Sequence, residues 1–357
     1  MECWSVVVGH YNSSLTRVVV SHQTSSLTHF LLISCSLTDI MSAITEEDGF
    51  KILTAQKCFN GTIIRFEHMS KETKCVMTAS LYLPPGSDIA SAAAAKKVPL
   101  LVYLSGLTCT DENVIQKSGA LRVASEEKIA FLAPDTSPRN VNIPGEDDSW
   151  DFGSGAGFYV DATEEPWSRN YRMYSYVVVE LDEVLQKHFP QIDITHKGIM
   201  GHSMGGHGAL TIALKNQESY RSVSAVAPIC NPIGCPWGEK AFTGYLGADN
   251  KEAWENYDAC KLMEKLGKSK YETILLDFGR SDNFLWNQLM PYQFSNICND
   301  NDQEVSVRIH DGYDHSYFFV ASFIEDHIRF HAETLKSTHH VVRKRPKSPH
   351  THATSIY

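Results

Sequence analysis

Ser203 stands at the centre of Gly201-His202-Ser203-Met204-Gly205, a G-x-S-x-G pentapeptide. A serine hydroxyl is almost never ionised at neutral pH, so it attacks a carbonyl carbon only when a neighbouring base takes its proton. The pattern alone is short and arises by chance in chains that hold Gly and Ser. Its context makes it a chemical statement. Gly198-Ile199-Met200 is an apolar run that can end a buried strand, and Gly206 to Leu214 is small and apolar at helical spacing. Strand, sharp turn and helix together make a nucleophile elbow, with the hydroxyl pushed out toward solvent. The flanking glycines suit a place where strand and helix come too close for side chains.

Behind such an elbow the acid and the base follow in chain order, each on a loop after a later strand. The last strand-like run, Val305–His310, leads into Asp311-Gly312-Tyr313-Asp314-His315-Ser316. His315, in a Gly-containing turn before the final helix, is the expected base. His310 lies at the strand end and would point along the sheet. His327 and His331 are four apart on the closing helix, a spacing a metal pair would share. No third ligand is placed by sequence, so a surface face is the reading and no metal is expected. The acid is sought after the preceding strand, where Asp277 and Asp282 compete. Asp277 falls inside the strand run and reads as structural. Asp282 lies beyond Gly279, free to turn toward His315, hold its tautomer and stabilise the imidazolium. An oxyanion needs two main-chain amides. The Met204 amide, at a helix N-terminus, is one. The loop Ser105–Thr110 follows an early strand and offers Leu107, with Gly106 as the alternative.

These loops need a sheet to hold them. Lys51–Phe59 and Thr62–His68 read as strands around an Asn60-Gly61 hairpin, and Cys75–Leu83 as a third. Val98–Leu104 is continuously apolar, as suits a strand covered on both faces. Ser118–Lys128 reads as helix and Ile129–Ala133 as strand. A long loop runs from Pro134 to about Pro166, and its glycines lack the G-x-G-x-x-G spacing of a nucleotide loop. Tyr171–His188 reads as one long helix, Ser222–Pro228 as strand, Lys251–Leu266 as mostly helix, Tyr271–Phe278 as strand and Pro291–Asn299 as helix. Ser316–Leu335 closes the pattern with Phe319, Phe323, Ile324, Ile328 and Leu335 on one face. Strands alternating with helices predict an α/β fold. It is a mainly parallel, doubly wound sheet with helices on both faces and antiparallel strands at its N-terminal edge.

The whole chain has 357 residues and a net charge of −10. An acidic chain has no global attraction to nucleic acid or to an anionic membrane, and no apolar run is long enough to span one. The nine cysteines show no C-x-x-C, so neither a disulfide framework nor a zinc site is suggested and reduced thiols in a cytosolic protein are expected. Residues 1–45 carry little charge and lack the order of a secretory signal. They read as a poorly ordered extension, with Met41 a second plausible start. Residues 46–337 form the globular domain, and 338–357 read as a basic, disordered tail around Arg343-Lys344-Arg345-Pro346-Lys347.

Six longer motifs sharpen this. They are Leu104–Thr110, Ala133–Arg139, Ser149–Gly153 continuing to Gly155–Tyr159, Gly201–Leu210, Ala227–Pro232 and Gly312–Tyr317. On these the chain resembles the S-formylglutathione hydrolase (esterase D) family, over about residues 50–336. The resemblance implies an α/β-hydrolase fold and a cytoplasmic serine thioesterase that converts S-formylglutathione to glutathione and formate in formaldehyde detoxification. No cofactor, a homodimer and side activity on small esters are also implied. The family's nucleophile, acid and histidine fall on Ser203, Asp282 and His315. Cys109 matches a cysteine beside the family's active site, a source of thiol sensitivity but no member of the triad. Lys117 and Arg122 follow the oxyanion loop and are open candidates for the glutathione carboxylates. The alternatives are a general carboxylesterase or acyltransferase of the same fold and a non-catalytic binding protein, which would ordinarily have lost one of the three residues.

Overall fold

The computed structural model describes residues 49–87 and 97–337, together with the strand backbones of β1 (Trp4–His10), β2 (Thr16–Thr24) and β3 (Leu27–Ile33). These three pair antiparallel with one another in a sheet of their own. The rest of the N-terminal extension and the tail 338–357 lie outside the described residues, as do Cys3, Cys35 and Met41.

The main sheet has nine strands: β4 (Phe50–Cys58), β5 (Gly61–Met69), β6 (Val76–Leu83), β7 (Val98–Leu104), β8 (Ala130–Pro134), β9 (Ile192–His202), β10 (Val223–Val226), β11 (Ile274–Gly279) and β12 (Val305–His310). Their order is β12-β11-β10-β9-β7-β8-β6-β5-β4. From β8 to β12 the pairings are parallel, and β4, β5 and β6 add an antiparallel edge. This is the expected α/β-hydrolase layout. The turn Asn60-Gly61 closes the β4–β5 hairpin, with Cys58 opposite Gly61.

The central strands are apolar in sequence because helices cover both faces. The main helices are α1 (Glu112–Lys117), α2 (Ala120–Glu127), α3 (Leu181–His188), α4 (Met204–Lys215), α5 (Pro236–Leu246), α6 (Ala259–Leu266), α7 (Pro291–Asp300) and α8 (Tyr317–Lys336). Helix α4 is buried from Met204 to Leu214, as its uniformly small and apolar sequence requires. Two differences from the sequence reading have local causes. The long helix expected over Tyr171–His188 starts at Met173 and carries a π turn at Tyr176–Glu180. There the buried Glu180 carboxylate accepts from the Ser70 hydroxyl and the Lys71 and Glu72 amides. Lys251–Leu266 is two helices, parted at Asp258, whose side chain caps α6 through the Lys261 amide.

The closing helix corrects a further expectation. His327 and His331 do not face solvent; both are fully buried. They occupy the same stripe as Ile324, Ile328, Ala332 and Leu335. His327 Nδ1 lies 2.8 Å from Ser224 Oγ and its Nε2 3.3 Å from Asp277, while His331 bridges Ser224 and Ser222 at 2.9 and 2.6 Å. Buried imidazoles are tolerated here because the strands beneath supply hydroxyls and a carboxylate. No helix of the described residues is long and apolar enough to cross a membrane.

Candidate active site

The elbow forms where β9 runs into α4. Ser203 sits between them at φ 58°, ψ −121°, a left-handed conformation that a non-glycine residue adopts at a cost of about 1–3 kcal/mol. The turn is possible only because its flanks lack side chains. A Cβ on Gly201 would lie 2.2 Å from the Gly205 carbonyl oxygen, and one on Gly205 would lie 1.9 Å from that of Leu104. Main-chain bonds lock the turn. Ser203 donates its amide to the Val226 carbonyl at 3.0 Å and accepts from the His207 amide at 3.0 Å.

His315 reaches this hydroxyl from the loop after β12. Its Nε2 lies 2.8 Å from Ser203 Oγ, and its Nδ1 lies 2.5 Å from Asp282 Oδ2. A carboxylate only accepts, so Nδ1 carries the proton and the Nε2 lone pair faces the serine hydroxyl. The Asp282 side chain is fully buried, and its other oxygen accepts the Phe284 amide at 2.8 Å. The acid is therefore fixed on both oxygens. The structure thus brings Ser203, His315 and Asp282 into one chain. Asp277 is held elsewhere, by both arms of Arg308 at 2.6 and 2.5 Å. His310 stacks on Phe323 at 3.7 Å between ring centroids.

The loop after β7 lies directly against the nucleophile. A Cβ on Gly106 would be 3.0 Å from the Ser203 Cβ. Among the described residues, neither the Leu107 nor the Met204 amide donates to a protein acceptor. The first amide of a helix has no intrahelical partner, so Met204 is free by position. Met204 follows Ser203 directly, and Leu107 follows Gly106, which packs against Ser203. The long loop Pro134–Pro166, whose role was open in the sequence, braces this region. Tyr159 donates its hydroxyl to the Ser105 carbonyl at 2.8 Å, and Thr108 donates its amide to Gly155 at 2.9 Å. The Cys109 carbonyl accepts from Thr136 at 2.6 Å and from Arg139 at 2.9 Å. Arg139 is itself paired with Asp135.

Cys109 is buried in that loop, with the Tyr317 hydroxyl donating to its Sγ at 3.9 Å. Burial pushes the thiol up, against the Tyr317 hydrogen bond and the positive charge of Lys117. It is a protonated thiol at neutral pH, not a second nucleophile.

Sequence reasoning assigned no role to several residues that shape the site. Phe284 sets its ring edge-on to His315 at 5.1 Å, and Trp237 and Trp150 continue an aromatic wall outward. His202 also packs against His315, ring centroids 4.8 Å apart. It is buried, and neither ring nitrogen has a hydrogen-bond partner among the described residues. Burial, and then the neighbouring His315, hold His202 well below the usual histidine range. The position of His202 in the pentapeptide was the one available signal.

The Esterase family model, described as "Putative esterase", matches residues 70–330. An S-formylglutathione hydrolase of Arabidopsis thaliana is 54% identical over 288 residues, spanning 81% of this chain and 99% of the relative. The chain belongs to the S-formylglutathione hydrolase family. The rat S-formylglutathione hydrolase is 53% identical over 288 residues, spanning 80% of this chain and 99% of its own. A solved S-formylglutathione hydrolase from Agrobacterium tumefaciens superposes with a TM-score of 0.75 at 45% identity, covering 80% of this chain and 99% of that one. A fluorophosphonate-binding serine hydrolase of Staphylococcus aureus shares the fold at 18% identity, with a TM-score of 0.61 and coverage of 76% and 98%.

Proposed function

We propose that this chain hydrolyses S-formylglutathione to glutathione and formate, with Ser203 as nucleophile, His315 as base and Asp282 as the acid behind it. The observation that carries the reading is His315, whose two ring nitrogens face Ser203 and Asp282 at 2.8 and 2.5 Å. The substrate comes from the family, whose named members span almost their whole length on this chain.

Ser203 Oγ bonds to the formyl carbon while His315 Nε2 takes its proton. The carbonyl oxygen becomes an oxyanion, held by the Met204 and Leu107 amides. The C–S bond then breaks, and the glutathione thiolate leaves with the proton from His315. A formyl ester on Ser203 remains. Water attacks it, again losing a proton to His315, and formate departs as Ser203 recovers its own. Asp282 stays ionised throughout and stabilises the imidazolium.

Residues 46–337 carry this chemistry, and the two terminal segments are appended to it. A homodimer and a cytoplasmic location belong to the same reading, and light scattering of the purified protein tests the first. The chemistry is tested by comparing specificity constants for S-formylglutathione and an aryl acetate. The thioester should be the better substrate by orders of magnitude. A preference for the aryl ester would make the protein a general carboxylesterase.

A further inference from the structure

A formyl group is too small to be recognised by much, so selectivity must lie in the leaving group. Glutathione in its thioester carries two carboxylates and one ammonium. An acidic chain of net charge −10 repels such an anion unless a local cation offsets the field. The cations around the site are nearly all committed. Arg139 is paired with Asp135, Lys240 with Asp151, and Arg280 with Asp311. Arg122, one of the two sequence candidates, is held by Glu126 and Glu325 at 2.7 and 2.8 Å.

Lys117 is different. It ends α1 and is exposed, and no carboxylate lies within ion-pair distance of it among the described residues. Its Nζ stands over the Tyr317 ring, 5.7 Å from the centroid. Tyr317 opens α8 two residues after His315, touches Cys109 through its hydroxyl, and lies 5.7 Å from the His202 ring. The ammonium is thus held against the wall built from the oxyanion loop and the His315 loop. A cation over an aromatic face keeps its charge available on its outer side.

We propose that Lys117 is a specificity residue that binds a carboxylate of the glutathione leaving group. The inference rests on the thioesterase reading above. Arg122, committed to two glutamates, takes no part. Held at the rim, the pair strengthens binding without touching the reacting atoms, so its effect falls on KM and not on kcat.

The test uses the full-length protein, with S-formylglutathione and an aryl acetate that carries no carboxylate. In Lys117→Ala, the ratio of specificity constants, thioester over aryl ester, should fall about fivefold, as suits a partly exposed ion pair. The fall should sit in KM, and Lys117→Arg should restore most of it. Two altered substrates separate the carboxylates: S-formylglutathione esterified on its glycine, which lacks the glycine carboxylate, and S-formyl-N-acetylcysteinylglycine, which lacks the γ-glutamyl one. Whichever loses the sensitivity to Lys117→Ala lacks the partner carboxylate. Thioester turnover with the same ratio in Lys117→Ala overturns this inference alone. An equal loss of kcat on both substrates also overturns it, since that is a structural effect. If the unaltered protein does not turn over S-formylglutathione, both the functional reading and the inference fall.

Discussion

Gly279 packs so tightly on Tyr313 that a Cβ there would lie 2.3 Å from the Tyr313 carbonyl oxygen. This contact joins the end of β11 to the loop after β12, and so joins the acid to the base. Two main-chain bonds complete the seam: Arg280 donates to the His310 carbonyl and Ser281 to that of Tyr313, both at 2.9 Å. Asp282 and His315 are 33 residues apart in sequence. Their alignment is set by backbone, not by the side chains that use it.

Gly279→Ala should therefore be a catalytic lesion made at a distance. The added methyl meets backbone, which cannot move aside as a flexible side chain would. The two loops must part, and displacements near 1 Å cost about 100-fold in rate. We expect kcat to fall by that order on both thioester and aryl ester, with the secondary structure retained in circular dichroism. Full activity in this variant would show that the seam does not align the pair.

Asp282 and Asp277 compete for the same role in sequence and differ sharply in surroundings. Asp282→Asn leaves the loop in place but gives His315 an amide that can donate to Nδ1, inverting the tautomer. A loss of about four orders of magnitude in kcat is expected. Asp277→Asn breaks a buried pair with Arg308 and should cost about 3 kcal/mol of stability, with a smaller effect on turnover. Kinetics and urea unfolding on both variants decide the matter. Greater damage to kcat from Asp277→Asn would reverse the assignment of the acid.

The nucleophile elbow was legible because its constraints are local: close approach at Gly201 and Gly205 is written in the sequence itself. The order Ser203, Asp282, His315 was legible from the alternation of strands and helices. What escaped depended on partners far away in sequence. His327 and His331 are polar types and read as surface, although their spacing to Ile324 and Ile328 already placed them on the buried stripe. Nothing in α8 announces Ser222, Ser224 and Asp277 beneath it. Helix α5 was missed because Pro236, Gly238 and Gly244 interrupt its pattern. Pro236 stands at the helix start, where its missing amide costs nothing. Gly244 has no room for a side chain, as Phe152 would be 2.3 Å from its Cβ.

His202 gives an unusual stability prediction. Its ring is buried, and neither nitrogen has a hydrogen-bond partner among the described residues; an orphaned buried polar group costs about 1–3 kcal/mol. His202→Phe keeps an aromatic ring beside His315 and removes that cost. The urea midpoint should hold or rise. Because burial holds His202 neutral, the substitution should leave the pH–rate profile unchanged. A large drop in stability would mean that its nitrogens are satisfied in solution.

Acid should loosen the fold at the β11–α8 contact. Burial alone would raise the Asp277 carboxyl, but hydrogen bonds from His327 and Arg308, with their charges, pull it down to about 2. His310, 3.5 Å away on β12, is the remaining titratable group facing it. In the unfolded chain an aspartate titrates near 3.9, so the folded value is the lower one. The sign follows: the folded state holds the ionised form more tightly. Its contribution of about 2 kcal/mol is fully present above roughly pH 4 and is lost as the pH falls toward 2. Arg308→Gln should remove much of it, flattening the decline of unfolding free energy between those limits. Urea unfolding at several pH values in that window checks this. An unchanged slope in Arg308→Gln would place the acid sensitivity in some other carboxylate.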